Sequence, residues 1–189
     1  MPVSEATYER VALEDPEGKW ELVCGRLRSK PGMTTAHNRA EEALARRLMA
    51  QLDEAEYSVR IENGRLRISA TTFYIPDLCV IPRALEDPKL DDSSLEIYAE
   101  PVPLVVEVWS PSTGNYDVGT KLLEYQQRGD LEIWRIHPIE RTLIAWRRLP
   151  DGSYAETLHN AGSVRPLALP QVSIELESLF PRRAQSRGG

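Results

Sequence analysis

The chain has 189 residues, 41% of them hydrophobic and 28% charged, with a formal net charge of −6. These proportions suit a globular protein with a real core, and the acidity argues against a general nucleic-acid coat protein, which is usually basic. No apolar run approaches the ~18 residues of a membrane span, and the polar, acidic start is unlike a signal peptide, so no membrane partner is expected. Cys24 and Cys79 are too few for a disulfide framework or a structural zinc site, which makes a cytoplasmic location the expectation.

In chain order, "KWELVCGRLRSK" alternates around Cys24-Gly25 and predicts a two-strand hairpin. Residues 35–56 carry a helical pattern in which Ala40, Leu44, Leu48 and Leu52 share one face. His37 lies at the start of that face, and Arg46 and Arg47 turn away from it. "EYSVRIENGRLRIS" predicts a second hairpin about Asn63-Gly64. "YIPDLCVIP" reads as a short strand between prolines, and "DPKLDDSSLEIYAEP" as an acidic loop with room for a helical turn. A strand over 104–109, a Ser110-Pro111 break and a helix over 118–128 follow, with Asp117 as N-cap and Gly129 as stop. "LEIWRIHP" and "RTLIAWRRLP" are strands, and Pro150-Asp151-Gly152 turns the chain into "SYAETLH". This order predicts an α+β or mixed α/β fold around one central sheet. The expected organisation is a single domain over 1–180 and a disordered tail over 181–189.

Chemistry enters with carboxylates in apolar strands. Glu107 stands among Leu104-Val105-Val106 and Val108-Trp109, a run apolar on both faces. Such a strand is central in its sheet, and a carboxylate buried there needs a partner or a metal. A structural ion pair with an arginine is the competing reading. Asp77 sits in the same way against Leu78-Cys79-Val80-Ile81. Two carboxylates on neighbouring buried strands repel unless a cation lies between them, and magnesium takes such oxygen sites. Lys121 falls at the edge of the apolar face of its helix, within reach of the sheet; snorkelling to solvent is the plainer alternative.

The segments "IPDLCVIP", "PLVVEVWSPST" and "DVGTKLLEYQQRGDLEIWRIHP", with "WELVCGRL" and "TTAHNRA" upstream, resemble the Uma-two family over roughly residues 7–180. That family looks like a branch of the PD-(D/E)xK nuclease superfamily. The resemblance implies a restriction-endonuclease-like α/β (α+β) domain: a central mixed sheet flanked by helices, with additional N-terminal hairpin strands. It assigns Asp77, Glu107 and Lys121 as catalytic and Glu21 as an early acidic partner. His37 and Tyr125 also match the family pattern, although a core histidine and a packing tyrosine are the plainer readings. In the superfamily the lysine lies two residues beyond the acid, where this chain has Trp109, and the resemblance implies that the family moved the lysine to the following helix. A second departure is Cys24, where an acidic residue is usual.

The implied activity is that of a hydrolase, an endonuclease using Mg2+ or Mn2+ held by Asp77, Glu107 and the Val108 backbone carbonyl to cut DNA. The alternative is a nuclease fold used without catalysis to bind nucleic acid or protein. The "SPST" turn is a weak candidate for phosphate approach. With a net acidic chain, a homodimer or higher homo-oligomer is expected to assemble the positive cleft, drawing on Arg26, Arg28, Lys30 and the tail arginines.

Overall fold

The computed structural model describes residues 2–111 and 117–180. Two sheets dominate. A six-stranded sheet has the order β11-β10-β9-β8-β6-β3, and a five-stranded sheet the order β2-β1-β5-β4-β7. The strands of the larger sheet are β3 (Tyr57–Ile61), β6 (Leu78–Pro82), β8 (Leu104–Val108), β9 (Glu132–His137), β10 (Thr142–Arg148) and β11 (Tyr154–His159). The smaller sheet holds β1 (Trp20–Val23), β2 (Arg26–Ser29), β4 (Arg65–Ser69), β5 (Thr72–Tyr74) and β7 (Ile97–Tyr98). Each sheet contains one parallel pair, β8 with β9 and β4 with β7, so both are mixed. A short antiparallel pair, β12 (Ser163–Val164) and β13 (Ile174–Glu175), lies near the C-terminal end.

Alternation along the strands explains the layering. Leu78, Val80, Val106, Val108, Trp134 and Ile136 pack with Ala40, Leu44 and Leu48 of helix α2 (Thr35–Met49) in one core. The residues between them, Cys79, Ile81, Val105 and Ile133, join Leu66, Tyr74, Tyr98 and Tyr125 in a second core. A third forms where α1 (Glu5–Glu14) lays Tyr8 and Ala12 against Leu22 and Phe73 of the smaller sheet. Strand β8 is thus covered on both faces, and Glu107 follows Val105 toward the second core.

The β1–β2 hairpin forms as expected, with Cys24 (φ 49) and Gly25 (φ 75) both left-handed, as a tight two-residue hairpin turn demands. Helix α2 opens on Thr34, whose side chain accepts from the His37 amide at 3.2 Å, but it stops at Met49, short of the expected 56. Its apolar face continues only through Leu52, which is buried in the turn that follows. The expected Asn63-Gly64 hairpin is corrected. Strand β3 pairs with β6 in the larger sheet, while β4 pairs with β5 and β7 in the smaller one. The chain changes sheets here, with Glu62 left-handed (φ 48) and its amide donating to the Asp77 carbonyl at 2.8 Å. Gly64 is needed because a Cβ would lie 2.8 Å from Cys79 Sγ. The larger sheet is the expected central mixed sheet, and the additional N-terminal hairpin strands belong not to it but to a second sheet packed against it.

Helix α1 was not anticipated, since only Tyr8 and Ala12 of its ten residues are buried. Past the short helix α3 (Arg83–Glu86) and strand β8, the described chain resumes in a π-helical turn (Asp117–Lys121) that runs into α4 (Leu122–Arg128). Asp117 therefore lies within the turn instead of capping an α-helix, while Gly129 (φ 87) ends α4 as expected. Ser112 and Thr113 of the "SPST" turn and the 181–189 tail lie outside the described residues. Among the described residues, no helix is long and apolar enough to cross a membrane.

Candidate active site

Strands β6 and β8 run antiparallel with Leu78 opposite Val106, which brings Asp77, just before β6, to the end of β8 that carries Glu107. Asp77 is 2% exposed and accepts three hydrogen bonds. The Lys30 ammonium reaches its Oδ1 at 2.8 Å. His37 Nε2 lies 3.0 Å from its Oδ2, and the Val108 amide donates to the same oxygen at 2.7 Å. Burial alone would raise the Asp77 pKa, but Lys30 and His37 outweigh it and hold the carboxyl below the usual carboxylate range. Burial likewise pulls Lys30 down, and the charge of Asp77, then that of Glu107, more than reverses it. His37 is also raised, its burial outweighed by the hydrogen bond to Asp77.

Glu107 forms the second half. Its Oε1 accepts from the Tyr125 hydroxyl at 2.7 Å and from the Lys121 ammonium at 3.3 Å. Lys121 also donates to Glu21 at 3.1 Å, and the same Glu21 oxygen accepts from the Ile75 amide at 2.9 Å. The ammonium stands 5.1 Å from the centre of the Tyr74 ring, which packs edge-on against Tyr125. Lys121 is only 3% exposed. Its position at the end of the π-helical turn aims it at the sheet, and snorkelling to solvent is not what it does.

Three residues join this cleft without having been picked out for it in the sequence. Glu41 lies one turn after His37 on α2, so both face Asp77. One ligand oxygen from each of Glu41, Glu62 and Asp77 lies within 4.8 Å of the others. Burial, with the charges of Asp77 and Glu62, pushes the Glu41 carboxyl up to about 7, and its buried Oε1 has no hydrogen-bond partner among the described residues. Glu62 also meets Lys19 and lies 3.7 Å from Lys30. Lys30 itself, expected on the surface as a DNA-gripping charge, has a buried side chain turned into the acidic group. The cleft holds more buried carboxylates than ammoniums.

A family model described as "Putative restriction endonuclease", Uma2, matches residues 6–177. The chain belongs to the Uma2 family. The uncharacterized protein sll1609 of Synechocystis sp. is 29% identical over 114 residues, which are 60% of this chain and 62% of that protein. A crystal structure titled as a "putative nuclease belonging to DUF820" from Anabaena variabilis superposes with a TM-score of 0.69 at 17% identity, covering 86% of this chain and 90% of that one. That likeness shows the nuclease-like fold: mixed sheets flanked by helices.

Within this Uma2 chain, the structure brings Asp77, Lys30, His37, Glu41 and Glu62 together on one side. It brings Glu107, Lys121, Glu21 and Tyr125 together on the other. The Val108 amide, one residue from Glu107, joins the halves through Asp77. The three-carboxylate group capable of holding an ion, among the described residues, is Glu41, Glu62 and Asp77. It shares Asp77 with the set expected from sequence and does not include Glu107. Glu41 had a signal in the sequence, its spacing from His37 on the buried face of α2. Glu62 and Lys30 had none, because only the second sheet brings their segments to Asp77.

Proposed function

We propose that this protein is a Mg2+- or Mn2+-dependent hydrolase that cuts phosphodiester bonds in DNA, with Asp77, Glu107 and Lys121 at the centre of its site. The observation that carries this reading is the meeting of Asp77 and Glu107 at one end of adjacent strands, each against a buried lysine. Membership in a family described as restriction endonucleases supports it. The donor set suits a hard divalent cation: only carboxylate oxygens, with one buried Glu41 oxygen unpartnered. Asp77, with Glu41 and Glu62 and with Glu107 or the Val108 carbonyl from the adjoining strand, would hold it. When bound, such an ion supplies Lewis acidity to the phosphate and acidifies water near neutral pH.

The protein's own groups do the rest. Lys121, fixed between Glu21 and Glu107, places a positive charge where the phosphate gains negative charge in the transition state. Tyr125 holds the Glu107 carboxylate in one orientation, and Glu107 in turn holds Lys121. His37 and the Val108 amide fix Asp77. Lys30, released from Asp77, would meet the substrate phosphate.

The pairing of both carboxylates with internal lysines favours a second reading, a nuclease fold that binds nucleic acid or protein without cutting. Two measurements on wild type, Lys121→Ala and Glu107→Gln separate the readings: cleavage of plasmid and linear DNA with Mn2+, and the metal-induced rise in melting temperature. The hydrolase reading expects Lys121→Ala to keep the thermal shift and lose on the order of 10²–10³ in rate, as removal of a transition-state contact does. Glu107→Gln should lose most of its rate as well. A wild type that neither shifts with metal nor cuts any nucleic acid leaves the binding module as the better account.

A further inference from the structure

Beyond Glu107 the same face of the larger sheet continues into a pocket with no part in the chemistry above. Trp109 follows two residues after Glu107, its amide bonded to the Ile136 carbonyl at 2.8 Å. Its ring stacks on His137 with centroids 4.2 Å apart and planes 21° from parallel. The His137 ring is fixed in turn, because its Nδ1 accepts from the Glu140 amide at 3.1 Å. The two rings wall a cavity of about 390 Å3, completed by Arg135, Glu140, Thr142 and Ile144. That volume is in the range of small-ligand sites.

Register ties this pocket to the cleft. On the parallel pair β8–β9, Glu107 stands beside Arg135. Arg135 lines both this pocket and the small cavity that contains Glu107 and Tyr125. The lining has aromatic and apolar walls, a cation on the side toward Glu107, and the Glu140 carboxylate on the other side. The Glu140 carboxylate, exposed at the rim with Oε1 3.7 Å from His137 Nε2, disfavours a phosphate there and has a second oxygen that can accept from an exocyclic amine.

We infer that the Trp109–His137 pocket is a nucleobase subsite that takes one unstacked base of the nucleotide next to the scissile phosphate. This rests on the nuclease reading and extends it to a substrate class. A base enters such a concavity only by leaving the duplex stack, so the preferred substrate is single-stranded or locally opened nucleic acid. Arg135 lies on the side from which the connecting phosphate would come.

The test uses full-length Glu107→Gln protein, silenced for cleavage, with Mn2+ and fluorescein-labelled oligonucleotides read by anisotropy. Trp109→Leu, which keeps apolar bulk against His137 but has no π face, and Trp109→Phe, which restores one, are added on that background. Thermal melting checks each fold. The expected result is tighter binding of single strands than of duplex, a loss of about tenfold or more for single strands in Trp109→Leu, and recovery of most of it in Trp109→Phe. If the parent binds single strands and Trp109→Leu binds them equally well, the subsite is wrong and the hydrolase reading stands. Preference for duplex also overturns the subsite. Should the parent bind no nucleic acid in either form, the nuclease reading falls and takes the subsite with it.

Discussion

Glu107 and Glu132 are both strand carboxylates in apolar surroundings, two strands that lie side by side, yet their environments differ in kind. Glu132 is fully buried, and its partners are all donors: Trp134 Nε1 at 2.6 Å, Arg147 Nε at 3.1 Å and the Leu167 amide at 2.7 Å. Its carboxylate fastens the C-terminal segment to the sheet. Glu107 instead shares Lys121 with Glu21, and Lys30 beyond it feels the charges of Asp77, Glu107 and Glu21 together. Burial of a carboxylate therefore does not distinguish a staple from a site. What distinguishes them is whether the partners are shared: Glu132 is held by an indole, a guanidinium and an amide, whereas around Glu107 and Asp77 each lysine meets two acids, Lys121 between Glu21 and Glu107 and Lys30 between Asp77 and Glu62.

The largest expected effect falls on the staple. Glu132→Ala strands the Arg147 guanidinium, the Trp134 N–H and the Leu167 amide, and should cost about 3–5 kcal/mol in urea denaturation. Glu107→Gln, which keeps an acceptor for Tyr125 and relieves repulsion with Glu21, should cost far less in the same measurement. Equal losses at the two positions would break the distinction.

A smaller effect is expected at Lys30, whose ammonium stands on Asp77 within the acidic group. Lys30→Met removes a like-charged competitor for any divalent ion. Calorimetric titration with Mn2+ should show binding at least about tenfold tighter than wild type. Weaker binding would mean that Lys30 organises Asp77 for the metal and does not compete with it.

The smallest effect concerns Glu86, another buried carboxylate and again a staple, bonded to Ser58, Arg60 and Arg83. Burial pushes its pKa up, but the Ser58 hydroxyl and the Arg60 charge outweigh burial and leave it lowered from 4.5. A lowered carboxylate binds fewer protons folded than unfolded below that value. Its stabilisation is therefore present above pH 4.5 and lost as pH falls through the folded pKa. Glu86→Gln should flatten the acid limb of the stability curve below pH 4.5 while leaving metal affinity unchanged.

The sequence made the hydrophobic frame legible where periodicity was strong. The face of α2, the interior position of β8 and the glycine stop after α4 all follow from residues a few places apart. Asp77 and Glu107 were visible because each stands against an apolar run, and Lys121 through its place at the edge of a helix face and the family resemblance. The partition into two sheets was not, since Asn63-Gly64 has the local chemistry of a hairpin and only the longer β3–β6 ladder sends the two strands apart. Lys30 was misplaced for the same reason. A basic residue after a hairpin looks solvent-facing until another sheet edge is known to stand above it.

The Lys121–Glu21 bond joins positions 100 residues apart. Closing so long a loop carries an entropic penalty that local helix and hairpin formation does not, and contacts of this kind are made late when a chain folds. The first hairpin can form early and still lack a partner for Glu21 until β8 and the π-helical turn are in place. The cleft is thus a property of the finished molecule: on refolding, far-UV circular dichroism should recover before divalent-ion affinity does. A fragment cut anywhere between Glu21 and Lys121 separates the two residues and has no site.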